Sequence, residues 1–176
     1  MKILNRNCDI IIFGGHGDLS FRKLLPALYH LFNENHLDEN SRIIIVTRRK
    51  ITHKDNINLV KEKLIEFIEN DFFSESDFNK FQKILRVSHV DLSDQSSYEG
   101  LASLLTEKED VERINYLSTA SGFFGDICKS LSFWNLITSK SRVVLEKPLG
   151  RDLKSSKLIN VEVLKYFTEE QIFRID

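Results

Sequence analysis

Short runs of β-branched and aliphatic residues, at 9–13, 42–47, 86–90, 113–118 and 142–145, alternate with segments whose apolar residues recur at helical spacing. That spacing is clearest in Leu24, Leu25, Leu28, Leu31 and Phe32, and again in Leu59, Val60, Leu64, Phe67 and Ile68. Each set lays one apolar stripe along a helix, to be buried against a sheet. Strands with a helix between them cannot be joined as hairpins, so neighbours run parallel through right-handed crossovers. An α/β fold follows, doubly wound, its mainly parallel sheet flanked by helices. The strand runs are nearly continuous in apolar residues, which reads as burial on both faces.

Other stretches fill in the frame. Residues 70–77 form a polar connection carrying Phe72 and Phe73, with Ser76 or Asp77 as the cap of a short helix. Thr168 to Gln171 has capping-box character and leads into 172–176, which reads as a strand cut short. With 176 residues, 41% of them hydrophobic, the chain builds one sizeable core, and one domain is expected. A formal charge of -1 creates no global field that attracts nucleic acid or an anionic membrane, so any phosphate binding is local. Cys8 and Cys128 are too few for a disulfide framework and stand at no metal-ligand spacing. No apolar run approaches the roughly 20 residues of a membrane span, and a reducing, cytoplasmic setting is expected.

The first strand run ends in Phe13-Gly-Gly-His-Gly-Asp-Leu19, followed by a helix that carries Arg22 and Lys23. Glycines at 14 and 17 permit a tight turn and a close approach of backbone to a pyrophosphate at the positive end of the helix. The spacing alone is weak, because the third glycine of GxGxxG is missing and a plain strand-to-helix turn uses the same residues. Its position strengthens it, since a Rossmann-like fold places its phosphate turn between the first strand and first helix. The second run ends in Thr47-Arg48-Arg49-Lys50. A carboxylate there would grip an adenosine ribose, whereas cations accommodate a 2′-phosphate, so the cluster points to NADP; a solvated charge cluster is the plain alternative.

The stretch from Phe13 to Tyr29 resembles the opening signature of glucose-6-phosphate dehydrogenases, GxxGDLxxRKLxPxLY. Arg142-Val-Val-Leu-Glu-Lys-Pro-Leu-Gly-Arg-Asp-Leu153 resembles that family's RxxxEKPxGxDL, and Glu170 to Asp176 resembles the start of QxxRIDHYLGK. Residues 116–125 are similar to its fourth-strand segment. The blocks stand in the family's order along the whole chain. The resemblance implies an NADP-binding Rossmann-like domain over residues 1–176, with the substrate and oligomerisation domain of the family lying outside this chain. Gly14, Gly15, His16, Gly17, Asp18 and Leu19 then match the coenzyme-phosphate turn. Arg48 matches the 2′-phosphate arginine, and Asp91 and Leu92 match positions beside the adenine. Lys147 matches a lysine that contacts both nicotinamide and sugar phosphate, Lys23 one near the substrate phosphate, and Asp176 an aspartate at the edge of the catalytic centre. The match also implies a cis peptide before Pro148. His16 itself matches a position of variable residue type.

The reaction so implied is oxidation of glucose 6-phosphate to 6-phosphogluconolactone with hydride transfer to NADP, the first step of the pentose phosphate pathway, in an enzyme that forms homo-oligomers. A histidine serves as base, and none of the five histidines here matches its position. Turnover by the 176 residues alone is therefore not expected. A non-catalytic nucleotide-binding module and the remnant of an interrupted gene are the other readings. Ser121 departs from a frequent proline, Thr47 from a frequent alanine and Ile45 from a common glycine, and Ile45 is expected to crowd the adenine side.

Overall fold

The computed structural model describes residues 7–107, 110–147 and 149–175. Six strands form one sheet, β1 (Cys8–Phe13), β2 (Arg42–Thr47), β3 (Leu85–His89), β4 (Glu112–Leu117), β5 (Ser141–Glu146) and β6 (Ile172–Ile175). Their order is β3-β2-β1-β4-β5-β6 and every neighbouring pair is parallel. The expected Rossmann-like α/β fold is present, the five expected strands lie within one residue of the expected bounds, and the terminal run is a sixth strand. The chain moves outward from β1 in both directions, so β1 and β4 flank the switch point where such sheets open a crevice at their C-terminal ends.

Helices α1 (Leu25–Asn33), α2 (His53–Phe67) and α3 (Glu75–Phe81) cover one face, where Leu25, Tyr29, Val60, Leu64, Phe78 and Phe81 pack on Ile10, Ile12, Ile43, Ile45 and Leu85. Helices α4 (Glu99–Thr106), α5 (Phe124–Phe133) and α6 (Leu153–Leu164) cover the other, where Leu101, Leu105, Ile127, Leu131 and Val163 meet Ile11, Phe13, Ile44, Val46, Leu117, Val143 and Leu145. Leu31 leaves its expected stripe and is 40% exposed, because it lies six residues, about one and two thirds turns, from Leu25 and so faces away from it. The cap of α3 is Ser74 rather than Ser76 or Asp77; its hydroxyl accepts from the Asp77 amide at 3.1 Å. Thr168 and Gln171 form the expected capping box.

Burial on both faces holds for β1 and β2, all of whose residues are buried. It fails for β3, where only Leu85 and Ser88 are buried, and for β4 and β5, where buried and accessible residues alternate; on β6 only Ile172 is buried. The layer of α1, α2 and α3 reaches only as far as Ile114 on β4. Beyond it Tyr116, Val144 and Glu146 stay half-buried and Phe173 is exposed. At the opposite end of the sheet, register sets Asp9 beside Arg42, and the guanidinium donates to both carboxylate oxygens at 2.8 and 2.7 Å and to the Leu104 carbonyl at 2.7 Å. A buried ion pair so fully bonded holds β1 and β2 in one register, since a slip would strand two charges.

Candidate functional site

The backbone between β1 and its helix explains its glycines. Gly14 has φ +80°, and a Cβ there would lie 2.2 Å from the Ser118 carbonyl oxygen, so only glycine fits between the ends of β1 and β4. The Gly15 amide donates to the Val46 carbonyl at 3.0 Å and ties the turn to β2. A Cβ on Gly15 would meet Ile45 Cγ2 at 2.6 Å. Ile45 thus packs beneath the turn, fully buried among the helix contacts; it was expected to crowd the adenine side, and it is absent from the wall of the cavity above the turn. Gly17 donates to Gly14 at 2.8 Å, and Phe21 to Gly17 at 3.1 Å, which starts the helix. Its next turn, Ser20–Leu24, is π-helical: the Leu25 amide reaches back five residues to Ser20. Pro26, without an N–H of its own, follows at once.

Over this turn lies a cavity of about 520 Å³ at the C-terminal edge of the sheet. The turn contributes Gly14, His16 and Gly17; the end of β2 contributes Val46, Thr47, Arg48 and Arg49; the segment after β3 contributes Val90, Asp91, Leu92 and Ser93. Ser118, Thr119 and Phe123 close it from the β4 side. Arg48 and Arg49 are exposed cations at the rim, while Val46 and Val90 are fully buried apolar wall. A phosphorylated group with a flat ring suits that combination. Asp91 also serves its own loop, accepting from the Ser93 amide at 3.0 Å. His16 is clamped: its Nε2 lies 2.8 Å from Asn56 Oδ1, and its ring stacks on Phe21 with centroids 5.5 Å apart. Burial holds the imidazole below its ordinary pKa, the Asn56 hydrogen bond opposes this, and the nearby Arg49 charge adds to the lowering.

Gly14, His16, Gly17, Arg48, Asp91 and Leu92 therefore converge on one cavity. Gly15 sits beneath it, and Asp18 and Leu19 follow in the first turn of the helix, where backbone amides lack intrahelical acceptors. The Asp18 side chain is exposed and pairs with Arg22 at 3.7 Å. Lys23, exposed on the π-helical turn, borders neither this cavity nor the second one. Lys147 lies apart, exposed just past β5, its amide donating to the Ile175 carbonyl at 2.9 Å. It borders an open depression of about 690 Å³ with Leu149, Gly150 and residues 151–153 and 156. Next to it, the Tyr116 hydroxyl donates to the Glu146 carboxylate, and burial followed by that carboxylate raises the tyrosine's pKa. Arg174 is used structurally: it donates to Glu169 at 2.6 Å and to Asn160 at 3.1 Å, joining β6 to α6. Asp176 and Pro148 lie outside the described residues.

Sequence reasoning named Arg49 only within the cation cluster, and it missed Val46, Val90, Ser93, Ser118, Thr119 and Phe123 as parts of the cavity. The available signal was position, since each follows or ends a strand near the switch point. It also missed Asn56, which stands four residues before Val60 and eight before Leu64, on the inward face of α2.

A parallel sheet in this order, a glycine turn leading from its first strand into a helix and a cavity over that turn define a dinucleotide-binding domain. Residues 11–176 match a family model described as the NAD binding domain of glucose-6-phosphate dehydrogenase. The chain is 42% identical over 174 residues to the glucose-6-phosphate 1-dehydrogenase of Mycolicibacterium smegmatis, covering 96% of this chain and 35% of that protein. It is 40% identical over 168 residues to the one from Rhizobium meliloti, covering 96% and 34%. Among solved structures, the glucose-6-phosphate 1-dehydrogenase of Mycobacterium avium superposes with a TM-score of 0.87 at 27% identity, covering 98% of this chain and 36% of that one. A glucose-6-phosphate dehydrogenase in complex with its substrate glucose-6-phosphate gives 0.84 at 31% identity, covering 98% and 37%. The chain belongs to the glucose-6-phosphate dehydrogenase family, and it spans about a third of the length of these relatives.

Proposed function

We propose that this chain is the NADP-holding part of a glucose-6-phosphate dehydrogenase and does not turn over substrate by itself. One observation carries the reading: the glycine turn and Arg48 border the same cavity. The group fits on the chain's own terms, because the turn admits no Cβ at Gly14 and two guanidinium groups stand at the rim where a 2′-phosphate needs them. Gly14, Gly15 and Gly17, with the first-turn amides of Asp18 and Leu19, hold the pyrophosphate at the positive end of the helix. Arg48 takes the 2′-phosphate, and Asp91 and Leu92 flank the adenine. Lys147 lies toward the nicotinamide and the sugar phosphate, and Lys23 toward the sugar phosphate.

NADP, when bound, supplies the acceptor for the hydride that leaves C1 of glucose 6-phosphate as the lactone forms. The residues of this chain bind and orient. The proton of the C1 hydroxyl needs a base with a pKa near neutrality, which the family places on the part of the protein outside this chain; Asp176 belongs at the edge of that centre. The complete enzyme acts in the cytoplasm as a homo-oligomer in the pentose phosphate pathway. Calorimetric titration with NADP and NAD tests the binding part of the proposal, and absorbance at 340 nm with glucose 6-phosphate tests the catalytic part. Saturable binding with NADP preferred and no reduction is expected; reduction of NADP by this chain alone contradicts the division of labour.

A further inference from the structure

β2 ends on Thr47, and the chain then bends at Arg48 and Arg49 before Thr52 caps α2. In a strand that simply ran on, two successive side chains would point to opposite faces of the sheet. Arg48 and Arg49 instead border one cavity. Like charges repel, so nothing in the two guanidinium groups gathers them on one wall; the bend does. One hydrogen bond accompanies that bend: the Arg49 amide donates to the Thr47 hydroxyl at 3.1 Å. Thr47 itself stays in the sheet. Its carbonyl accepts from the Val90 amide at 2.9 Å, and only 7% of the residue is exposed. Its branched Cβ leaves χ1 little freedom, so the hydroxyl is held where the turning amide arrives. A threonine hydroxyl that takes the amide two residues on closes a local turn and competes with a continued strand. Building on the coenzyme site proposed above, we infer that Thr47 is a positioning residue: its hydroxyl, by holding the Arg49 amide, presets the bend that aims Arg48 at the 2′-phosphate.

The bond acts by keeping the two arginines in one arrangement. Residues 48–51 are tied at both ends, by the Thr47 hydroxyl and by the Thr52 hydroxyl, which accepts from the Asp55 amide at 3.1 Å. Without the first tie, the Arg49 amide turns to water and the two side chains are free to part. Each binding event then has to order them, which weakens binding. In the assignment above, adenine and pyrophosphate make no use of Arg48, and only the 2′-phosphate does. Loss of the hydroxyl therefore falls on NADP and spares NAD. A residue that merely filled the cavity wall would affect both nucleotides alike.

Thr47→Val keeps the branched shape and removes the hydroxyl, whereas Thr47→Ser keeps the hydroxyl and removes the methyl. Wild type and both variants are titrated with NADP and with NAD in calorimetry. T47V is expected to bind NADP about three- to tenfold more weakly, the effect of one net hydrogen bond, and NAD as wild type does. T47S should bind both as wild type does. In an Arg48→Ala background, Thr47→Val should weaken NADP no further, since a residue that acts through Arg48 then has nothing to aim. Equal NADP affinity in wild type and T47V, an equal loss with NAD, T47S as weak as T47V, or a loss that persists beside Arg48→Ala each overturns the inference while the coenzyme site stands. Failure of folded wild type to bind either nucleotide overturns both. Should T47V not fold, hydrogen exchange at the Arg49 amide, read by NMR, decides on wild type alone: protection that rises with NADP and not with NAD supports the inference, and no such rise overturns it.

Discussion

Every residue of β1 and β2 is buried, whereas β4 and β5 bury only alternate residues and β6 only Ile172, with Phe173 49% and Ile175 37% exposed. The first half of the sheet has helices on both faces and ends in a cavity walled from four segments of chain. The second half has helices on one face and ends in an open depression beside Lys147. The proposed assignment gives adenosine and phosphates to the half that ends in this cavity. The side assigned to nicotinamide and sugar lies next to a face that its own helices leave uncovered, which is the physical content of a division between holding a coenzyme and performing a reaction.

The comparison breaks if the two halves respond alike to truncation. Ile44→Ala, in the middle of β2, is expected to cost about 2–5 kcal/mol in urea unfolding. Phe173→Ala on the open face should stay within about 0.5 kcal/mol; similar losses would mean that the uncovered face is packed in solution. Arg48→Ala sharpens the assignment of the first half. It should weaken NADP by roughly 10–100-fold, the equivalent of about 1.5–3 kcal/mol for a hydrogen bond to a charged group, and leave NAD unchanged in calorimetry. A smaller effect is expected from pH. The folded pKa of His16 lies below its unfolded value of 6.5, so the neutral ring's contribution is complete above that pH and is lost as pH falls toward the folded value. Free wild type should therefore lose stability between pH 7 and pH 5, and H16N should lose less over the same window. Smallest of all, Cys128, buried in the packing of α5 and with its thiol pushed up to about 12, should resist a thiol reagent until urea unfolds the chain.

Much of the first half was legible in the sequence. Strand runs, helical stripes, the turn at Gly14 to Gly17 and the cations after the second strand all follow local rules of periodicity, sterics and charge. What failed depends on neighbours far along the chain. Val144 is as apolar as Ile44, so its run looks two-sided, and nothing within that run says that α1, α2 and α3 stop short of it. The clamp between His16 and Asn56 spans 40 residues, yet its trace was there: an asparagine in phase with Val60 and Leu64 is a polar side chain on an apolar stripe. The cap of α3 is the exception, a local miss: Ser74 rather than Ser76 caps it, since its side chain is the one placed three residues before the Asp77 amide it receives.

Competition between adenosine 2′,5′-bisphosphate and AMP for this chain goes most directly to the adenosine pocket, because the two differ only in the phosphate assigned to Arg48. The bisphosphate should bind at least about tenfold more tightly than AMP, with the advantage gone in Arg48→Ala. Equal affinities in wild type, or an advantage that survives loss of Arg48, would contradict the pocket as described.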